Sequence, residues 1–276
     1  MKRVGIVINR NKASAAELVL KLRSWLEKRD IAVLDTETRP LEEVLQDAAL
    51  VICLGGDGTL LSVAGRLKEA AIPILGVNLG SLGFLTEVKQ EEVFEELNSF
   101  FFGQSQIEER LMLSCTAWSE KAKEERRFMA LNDIVVSREG LSRILKMEVN
   151  AGGEKLTSFA GDGLIVATPT GSTAYSFSAG GAVVHPKLEA LIITPICPHA
   201  SALRSMVLSA DERISIRLQN TLGHGRALLT ADGQENLEID DSYSIEITRS
   251  GTRLRLVKSS RRSYFSTLRE NFKFPV

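Results

Sequence analysis

An aspartate set among glycines, Gly55-Gly56-Asp57-Gly58-Thr59, stands directly after the apolar run Leu50 to Leu54 and before the helical run Leu60 to Ala70. A strand that delivers glycines into a helix N-terminus presents bare backbone N–H groups and the positive end of the helix dipole, an arrangement that suits phosphate. The spacing is neither G-x-G-x-x-G nor the Walker pattern with its lysine, which disfavours both the common dinucleotide fingerprint and a P-loop NTPase. A carboxylate is electrostatically out of place in a pure anion hole. Three tasks fit Asp57: accepting a proton from an attacking hydroxyl, holding Mg²⁺ that bridges donor phosphates, or capping the helix that follows, where Thr59 could cap instead.

A second loop, Gly76-Val77-Asn78-Leu79-Gly80-Ser81-Leu82-Gly83-Phe84-Leu85, follows the next strand candidate. Its glycines would let another backbone turn approach a ligand at the same sheet edge, where open α/β sheets bind. Read alone, it is equally a surface turn. Further along, Asp162-Gly163 opens a strand that runs into Thr168-Pro169-Thr170-Gly171-Ser172-Thr173-Ala174-Tyr175-Ser176-Phe177-Ser178. Hydroxyls, small side chains and the Tyr175 ring offer donors and an aromatic face for a sugar or a base, or else build a rigid turn. Leu131-Asn132-Asp133 sets an amide beside a carboxylate at the head of an apolar strand. Adjacent strand residues face opposite ways, so the two would serve one ligand only at a strand end or bulge; turn formation is the alternative.

The elements that must position these residues change character along the chain. Short β-branched runs alternate with amphipathic stretches over the first hundred residues: Val4 to Ile8, Ala13 to Lys28, Ile31 to Leu34, Leu41 to Asp47 and Leu50 to Leu54. That rhythm predicts βαβ units on a parallel sheet. Leu18, Leu22, Trp25 and Leu26 recur at helical spacing, which predicts a first helix lying against the sheet with Trp25 in its core face. Ile74 to Val77 reads as a further strand and Glu91 to Phe101 as a helix. From residue 107 strand-like segments dominate, among them Met112 to Trp118, Phe128 to Ser137, Leu145 to Val149, Leu164 to Ala167, Ile214 to Leu218 and Ser244 to Thr248. Turn pairs such as Gly152-Gly153 and Asp232-Gly233 separate them, predicting a mostly β second domain. The expected partition is 1–105, 106–260, and a tail 261–276 that packs back on the first domain.

Composition narrows the classes. The 34 basic and 35 acidic side chains of the 276 residues nearly cancel, so no field favours nucleic acid or an anionic membrane. No run approaches the roughly 18 apolar residues of a membrane span. Three cysteines, Cys53, Cys115 and Cys197, are far apart and odd in number, which suggests neither a disulfide framework nor a zinc site and points to a reducing, cytoplasmic address. His185, His199 and His224 lack metal-ligand spacing.

Taken together, Gly55 to Thr59, Leu131-Asn132-Asp133 and Thr168 to Ser176 resemble the NAD kinase family. The glycine-aspartate loop alone is shared with diacylglycerol and sphingosine kinases and, more loosely, phosphofructokinases; the threonine-alanine-tyrosine segment and the Asn78 to Phe84 loop narrow the choice. The resemblance implies a Rossmann-like, phosphofructokinase-like α/β domain with a parallel sheet, followed by a β-sandwich-like domain. It implies phosphoryl transfer from ATP or polyphosphate to the 2′-hydroxyl of the adenosine ribose of NAD, with Mg²⁺, in a homodimer or homotetramer. On that pattern Asp57 is the proton acceptor, with Gly56, Gly58 and Thr59 near the phosphates. Asn132, Asp133, Asp162 and the stretch Thr173, Ala174, Tyr175, Ser176 and Ser178 match NAD contacts, as do Gln234 and the basic Arg143. One departure stands out: many members carry arginine two places before the aspartate that Asp162 matches, where this chain has Ala160. Two rival readings are a lipid kinase of the diacylglycerol type and a module that senses NAD(H) without chemistry.

Overall fold

The computed structural model describes residues 2–9, 12–67, 72–138, 144–200, 202–219 and 227–273. In chain order the elements are β1 (Arg3–Ile8), α1 (Ala13–Glu27), β2 (Ala32–Asp35), α2 (Leu41–Leu45), β3 (Leu50–Gly55), α3 (Asp57–Ala64), β4 (Pro73–Asn78), β5 (Val88–Lys89), α4 (Val93–Phe101) and β6 (Ile107–Arg110). There follow β7 (Leu113–Ser119), β8 (Glu124–Ala130), β9 (Asp133–Arg138), β10 (Leu145–Ala151), β11 (Glu154–Gly161), β12 (Gly163–Ala167), a 3-10 turn (Gly171–Thr173), α5 (Tyr175–Ser178) and β13 (Ala190–Ile196). The chain continues through β14 (Met206–Ser209), β15 (Ile214–Leu218), β16 (Ala227–Ala231), β17 (Glu235–Ile239), β18 (Tyr243–Arg249), β19 (Leu254–Val257) and α6 (Tyr264–Phe272). Two compact units result, one of Met1–Glu109 with Leu254–Val276 and one of Arg110–Arg253.

In the first unit the strands run β2-β1-β3-β4-β19-β6, with β5 also on β4. Neighbours β2, β1, β3, β4 and β19 pair in parallel. Parallel neighbours need crossovers, which α1, α2 and α3 supply, and the fully buried β3 and β4 read as the continuous apolar runs that a sheet covered on both faces requires. Leu18, Leu22 and Leu26 of α1 bury against Val4, Ile6, Leu50 and Ile52. Trp25 is half-buried, packs on that core beside Phe94 and Phe101, and carries the Arg29 guanidinium 3.7 Å from its ring centroid. The predicted helix Leu60 to Ala70 is observed as α3, ending before Gly65, whose poor helix propensity breaks the run; residues 68–71 lie outside the described residues. The strand β19, within 106–260 in the sequence reading, inserts beside β4 with Leu256 opposite Ile74.

The second unit carries two antiparallel six-stranded sheets, β11-β10-β15-β18-β7-β8 and β14-β13-β12-β9-β16-β17. Leu113, Cys115, Met147, Ile216 and Ile245 of the first share one core with Ile134, Val136, Leu164, Val166, Leu191 and Leu229 of the second, which makes the unit a β-sandwich. Alternation along β7, with Leu113, Cys115 and Ala117 buried and Trp118 exposed, is the sequence signature of such a sheet. The segment Phe128 to Ser137, expected as one strand, is two. The chain leaves β8 after Ala130 and enters β9 of the other sheet at Asp133. Its ladder breaks because the N–H groups of Leu131, Asn132 and Asp133 all donate to the carboxylate of Asp232.

Candidate active site

The loops that follow β1, β3 and β4 leave the parallel sheet at its carboxyl edge, where such sheets bind ligands. Asp57 is the first residue of α3, and its carboxylate does not cap that helix. It reaches the loop after β4 instead. Oδ2 accepts the Phe84 N–H at 2.8 Å; Oδ1 accepts the N–H groups of Leu85 (3.1 Å) and Thr86 (3.0 Å) and the Thr86 hydroxyl (2.9 Å). Gly83 is a glycine for a steric reason, since a Cβ there would stand 2.1 Å from Asp57 Oδ1. Asn78, buried at the end of β4, ties the same loop by donating to Ser81 O and Thr86 Oγ1 and by accepting the Gly80 N–H. The surface turn that sequence alone allowed here is thus a clamp around one carboxylate.

The glycines on the other side of Asp57 have different neighbours. A Cβ at Gly55 would meet Thr59 Oγ1 at 2.2 Å, so Gly55 is demanded by packing, whereas a Cβ at Gly56 or Gly58 would have nothing within 4 Å. Among the described residues no protein atom needs those two positions bare, and the open space beside them lies at the N-terminus of α3. By contrast, Asp35 at the end of β2, where a Rossmann site would place its ribose-binding acid, is fully buried. It is held by Arg23, by the N–H groups of Glu37 and Thr38 and by the Thr38 hydroxyl. The first unit therefore does not offer the dinucleotide-binding acid of that fold.

In the second unit, Asn132, Asp133 and Gln234 converge through Asp232. This residue sits at φ 51° in the β16–β17 turn with Gly233 at φ 62°, a pair of left-handed residues that makes a tight hairpin. The turn brings exposed Gln234 beside the Leu131–Asp133 crossing, where the Asp232 N–H donates to Asp133 O at 2.9 Å. The 3-10 turn joins from the opposite direction: the Thr168 hydroxyl donates to Leu131 O, and a Cβ on Gly171 would stand 2.1 Å from Asn132 O. Asp133 is only 5% exposed. Its carboxyl is pushed up to about 7, first by burial and then by the charge of Asp232. Burial also raises Asp232, opposed by its three backbone donors.

Within the hydroxyl-rich segment the side chains divide. Tyr175 and Ser178 are exposed and Thr173 and Ala174 half-buried, whereas Ser176 is fully buried and shares a hydrogen bond with Thr194 at 2.9 Å. Ser172 accepts the Val184 N–H and donates to Pro169 O. Asp162 lies at the strand entrance, where Arg138 Nε approaches its Oδ1 at 2.9 Å. Arg143 and His224 lie outside the described residues. Thr86, Asp232 and Arg138 are the site residues that sequence reasoning did not single out. Only the Asp232-Gly233 pair carried a local signal, as a turn.

A parallel α/β unit with an aspartate-bearing glycine loop at its sheet edge, joined in sequence to a β-sandwich with a hydroxyl-rich turn, is the architecture of a phosphotransferase. Comparison with known proteins narrows the class: an ATP-NAD kinase N-terminal domain model matches residues 32–104, and an ATP-NAD kinase C-terminal domain model matches residues 131–259. An NAD kinase of Natranaerobius thermophilus is 39% identical over 281 residues, 98% of this chain and 97% of that protein. One of Geotalea daltonii is 39% identical over 284 residues, 99% of each. The chain belongs to the NAD kinase family. Among solved structures, an NAD kinase from Archaeoglobus fulgidus in complex with ATP superposes with TM-score 0.79 at 27% identity, covering 97% of this chain and 99% of that one. Yeast NADH kinase complexed with NADH shares the fold, with TM-score 0.91 at 24% identity over 99% of this chain and 88% of that one.

Proposed function

We propose that this protein transfers the terminal phosphoryl group of ATP, or of inorganic polyphosphate, to the 2′-hydroxyl of the adenosine ribose of NAD, giving NADP. The observation that carries the reading is the Asp57 carboxylate held at the sheet edge beside glycines with open space around them. Phosphoryl transfer runs through a loose transition state, so the protein's work is mainly alignment and charge neutralisation. Gly56 and Gly58 let phosphate oxygens approach backbone N–H groups at the N-terminus of α3, with Thr59 alongside. Asp57 accepts the ribose proton, and the four donors from residues 84–86 hold its carboxylate in one orientation while Oδ2, with a single donor, keeps acceptor capacity. Asn132, Asp133, Asp162, Tyr175, Ser178 and Gln234 serve the NAD molecule, and Arg143 is its basic contact.

Among the described residues no group of three or more His, Cys, Asp or Glu side chains is placed to hold a metal ion. Asp57 is the one carboxylate within 55–60 and 76–86. That donor set fits Mg²⁺, which binds through substrate phosphates and one or two carboxylates rather than in an all-protein cage. Bound with the donor, it would supply neutralisation of the charge spreading over the transferred group.

The lipid-kinase and NAD(H)-sensing readings are not favoured, since the relatives that match along the whole chain are NAD kinases. A cytoplasmic homodimer or homotetramer completes the proposal. Among the described residues no helix is long and apolar enough to cross a membrane. The test is to incubate purified protein with NAD, Mg²⁺ and either ATP or polyphosphate and to assay NADP. NADP is expected, and its absence with both donors would reject the reading.

A further inference from the structure

The segment Phe84–Glu87 has two sides. One faces Asp57, which binds its successive N–H groups. The other is held by the end of the chain. The ring of Phe272 packs against that of Phe84 with centroids 5.5 Å apart. Lys258 pairs with the Glu87 carboxylate and stands 3.9 Å from that of Glu108, with all three side chains largely buried. Arg262 donates to the Glu87 carbonyl at 2.9 Å and forks onto Glu92 at 2.7 and 3.2 Å. Glu92 in turn accepts the Lys89 N–H, and Ser260 anchors the same strap to Glu96 through its N–H and its hydroxyl. Aromatic, ionic and backbone contacts from residues 258–272 thus hold Phe84, Glu87 and Glu92, on either side of the Leu85 and Thr86 amides that bind one carboxylate.

Buried ion pairs are poor stabilisers against an apolar alternative, because two charges must be stripped of water; their best-attested use is to select one arrangement over others. Here the arrangement selected is the path of residues 84–92. The Glu87 carbonyl that Arg262 grips is one residue beyond Thr86, which gives Asp57 two of its four hydrogen bonds. A shift of the Glu87–Val88 peptide would reach the carboxylate through Thr86.

We propose that Arg262 is a positioning residue for phosphoryl transfer: through the Glu87 carbonyl and Glu92 it fixes the 84–86 amides that orient Asp57. The proposal rests on the assignment of Asp57 as proton acceptor. Its structural half is testable without turnover. In a folded Arg262→Ala protein, hydrogen exchange at the Leu85 and Thr86 amides is expected to accelerate at least tenfold relative to core amides of β3, since loops held by few contacts open locally. Its catalytic half predicts a fall in kcat of roughly ten- to a hundredfold, the cost of slight misplacement of a reacting group, with KM for NAD unchanged. That loss should vanish when Arg262→Ala is made on an Asp57→Asn background, because there is no oriented carboxylate left to lose. A general structural defect would instead lower both backgrounds equally. Should Arg262→Ala fail to fold, Arg262→Lys keeps the charge but loses the fork, and it is read by the same exchange and coupling measurements with a smaller effect. Retained protection at Leu85 and Thr86 in the folded variant, or equal losses in the two backgrounds, overturns the inference. A wild-type protein that makes no NADP would instead strike the proposed activity and leave the exchange result to decide the structural half.

Discussion

The two units use the same small device and put it to different ends. In the first, Asp57 accepts three successive N–H groups, those of Phe84, Leu85 and Thr86; in the second, Asp232 accepts those of Leu131, Asn132 and Asp133. Each aspartate precedes a glycine, and each folds a distant segment around itself, 27 residues away in one case and about a hundred in the other. Their surroundings differ. Asp57 stands at a helix N-terminus beside the open positions 56 and 58, while Asp232 stands beside a second, buried carboxylate, Asp133, whose proton affinity is raised by burial and then by the Asp232 charge. Both amide-held carboxylates are half-buried; what separates them is the company each keeps, a helix N-terminus for one and a second carboxylate for the other.

The largest expected effect falls on turnover. Asp57→Asn should slow NADP formation by roughly two to four decades, the range of general acid–base contributions, with a modest fall in melting temperature, since the amide keeps one acceptor oxygen for the Leu85 and Thr86 donors and loses that of the Phe84 N–H; near-wild-type turnover would make the two aspartates alike. Next comes stability. Asp232→Ala leaves three backbone N–H groups without their acceptor, each costing about 1–3 kcal/mol if it stays dry, so the melting midpoint should fall by on the order of 10 °C. An unchanged thermal scan would show that the crossing at residues 131–133 does not depend on this carboxylate.

A subtler contrast is in pH. Because Asp133 binds its proton more tightly folded than unfolded, the folded state holds more protons between the ordinary carboxyl range and about pH 7. Stability should therefore be greatest toward the acid end of that window and decline as pH rises to 7, at up to about 1.4 kcal/mol per pH unit. Urea titrations from pH 5 to 8 should show the decline in the wild type and its loss in Asp133→Asn; a wild-type profile flat across that range would refute it. The smallest effect concerns the exposed ring of Tyr175. Tyr175→Ala should raise KM for NAD severalfold, the worth of one aromatic contact of about 0.5–1.5 kcal/mol, with kcat held, and steady-state kinetics would detect its absence.

Much of this was legible in the residues. The alternation of β-branched and amphipathic runs pointed to a parallel sheet and the strand-like segments with their turn pairs to a mostly β second domain, while the sandwich itself came from the family resemblance. These signals are local: a strand or a helix terminus advertises itself over a few neighbours. Other features were not local. The run from Phe128 to Ser137 looks unbroken because the residue that breaks it, Asp232, is about a hundred positions away. The strand Leu254–Val257 falls within 106–260 by sequence, and only its pairing with β4 sets it in the first unit. Ser176 reads like its hydroxyl neighbours, yet it turns inward to Thr194.

By itself, the sequence determined most of the elements and which residue types stand at the carboxyl edge of the parallel sheet, since backbone propensity, polarity and glycine's freedom act over a turn or two of chain. Tertiary structure alone decided what each carboxylate does. That choice depends on which amides and charges the fold brings within about 3 Å of it, and those partners come from segments that nothing in the local pattern ties together.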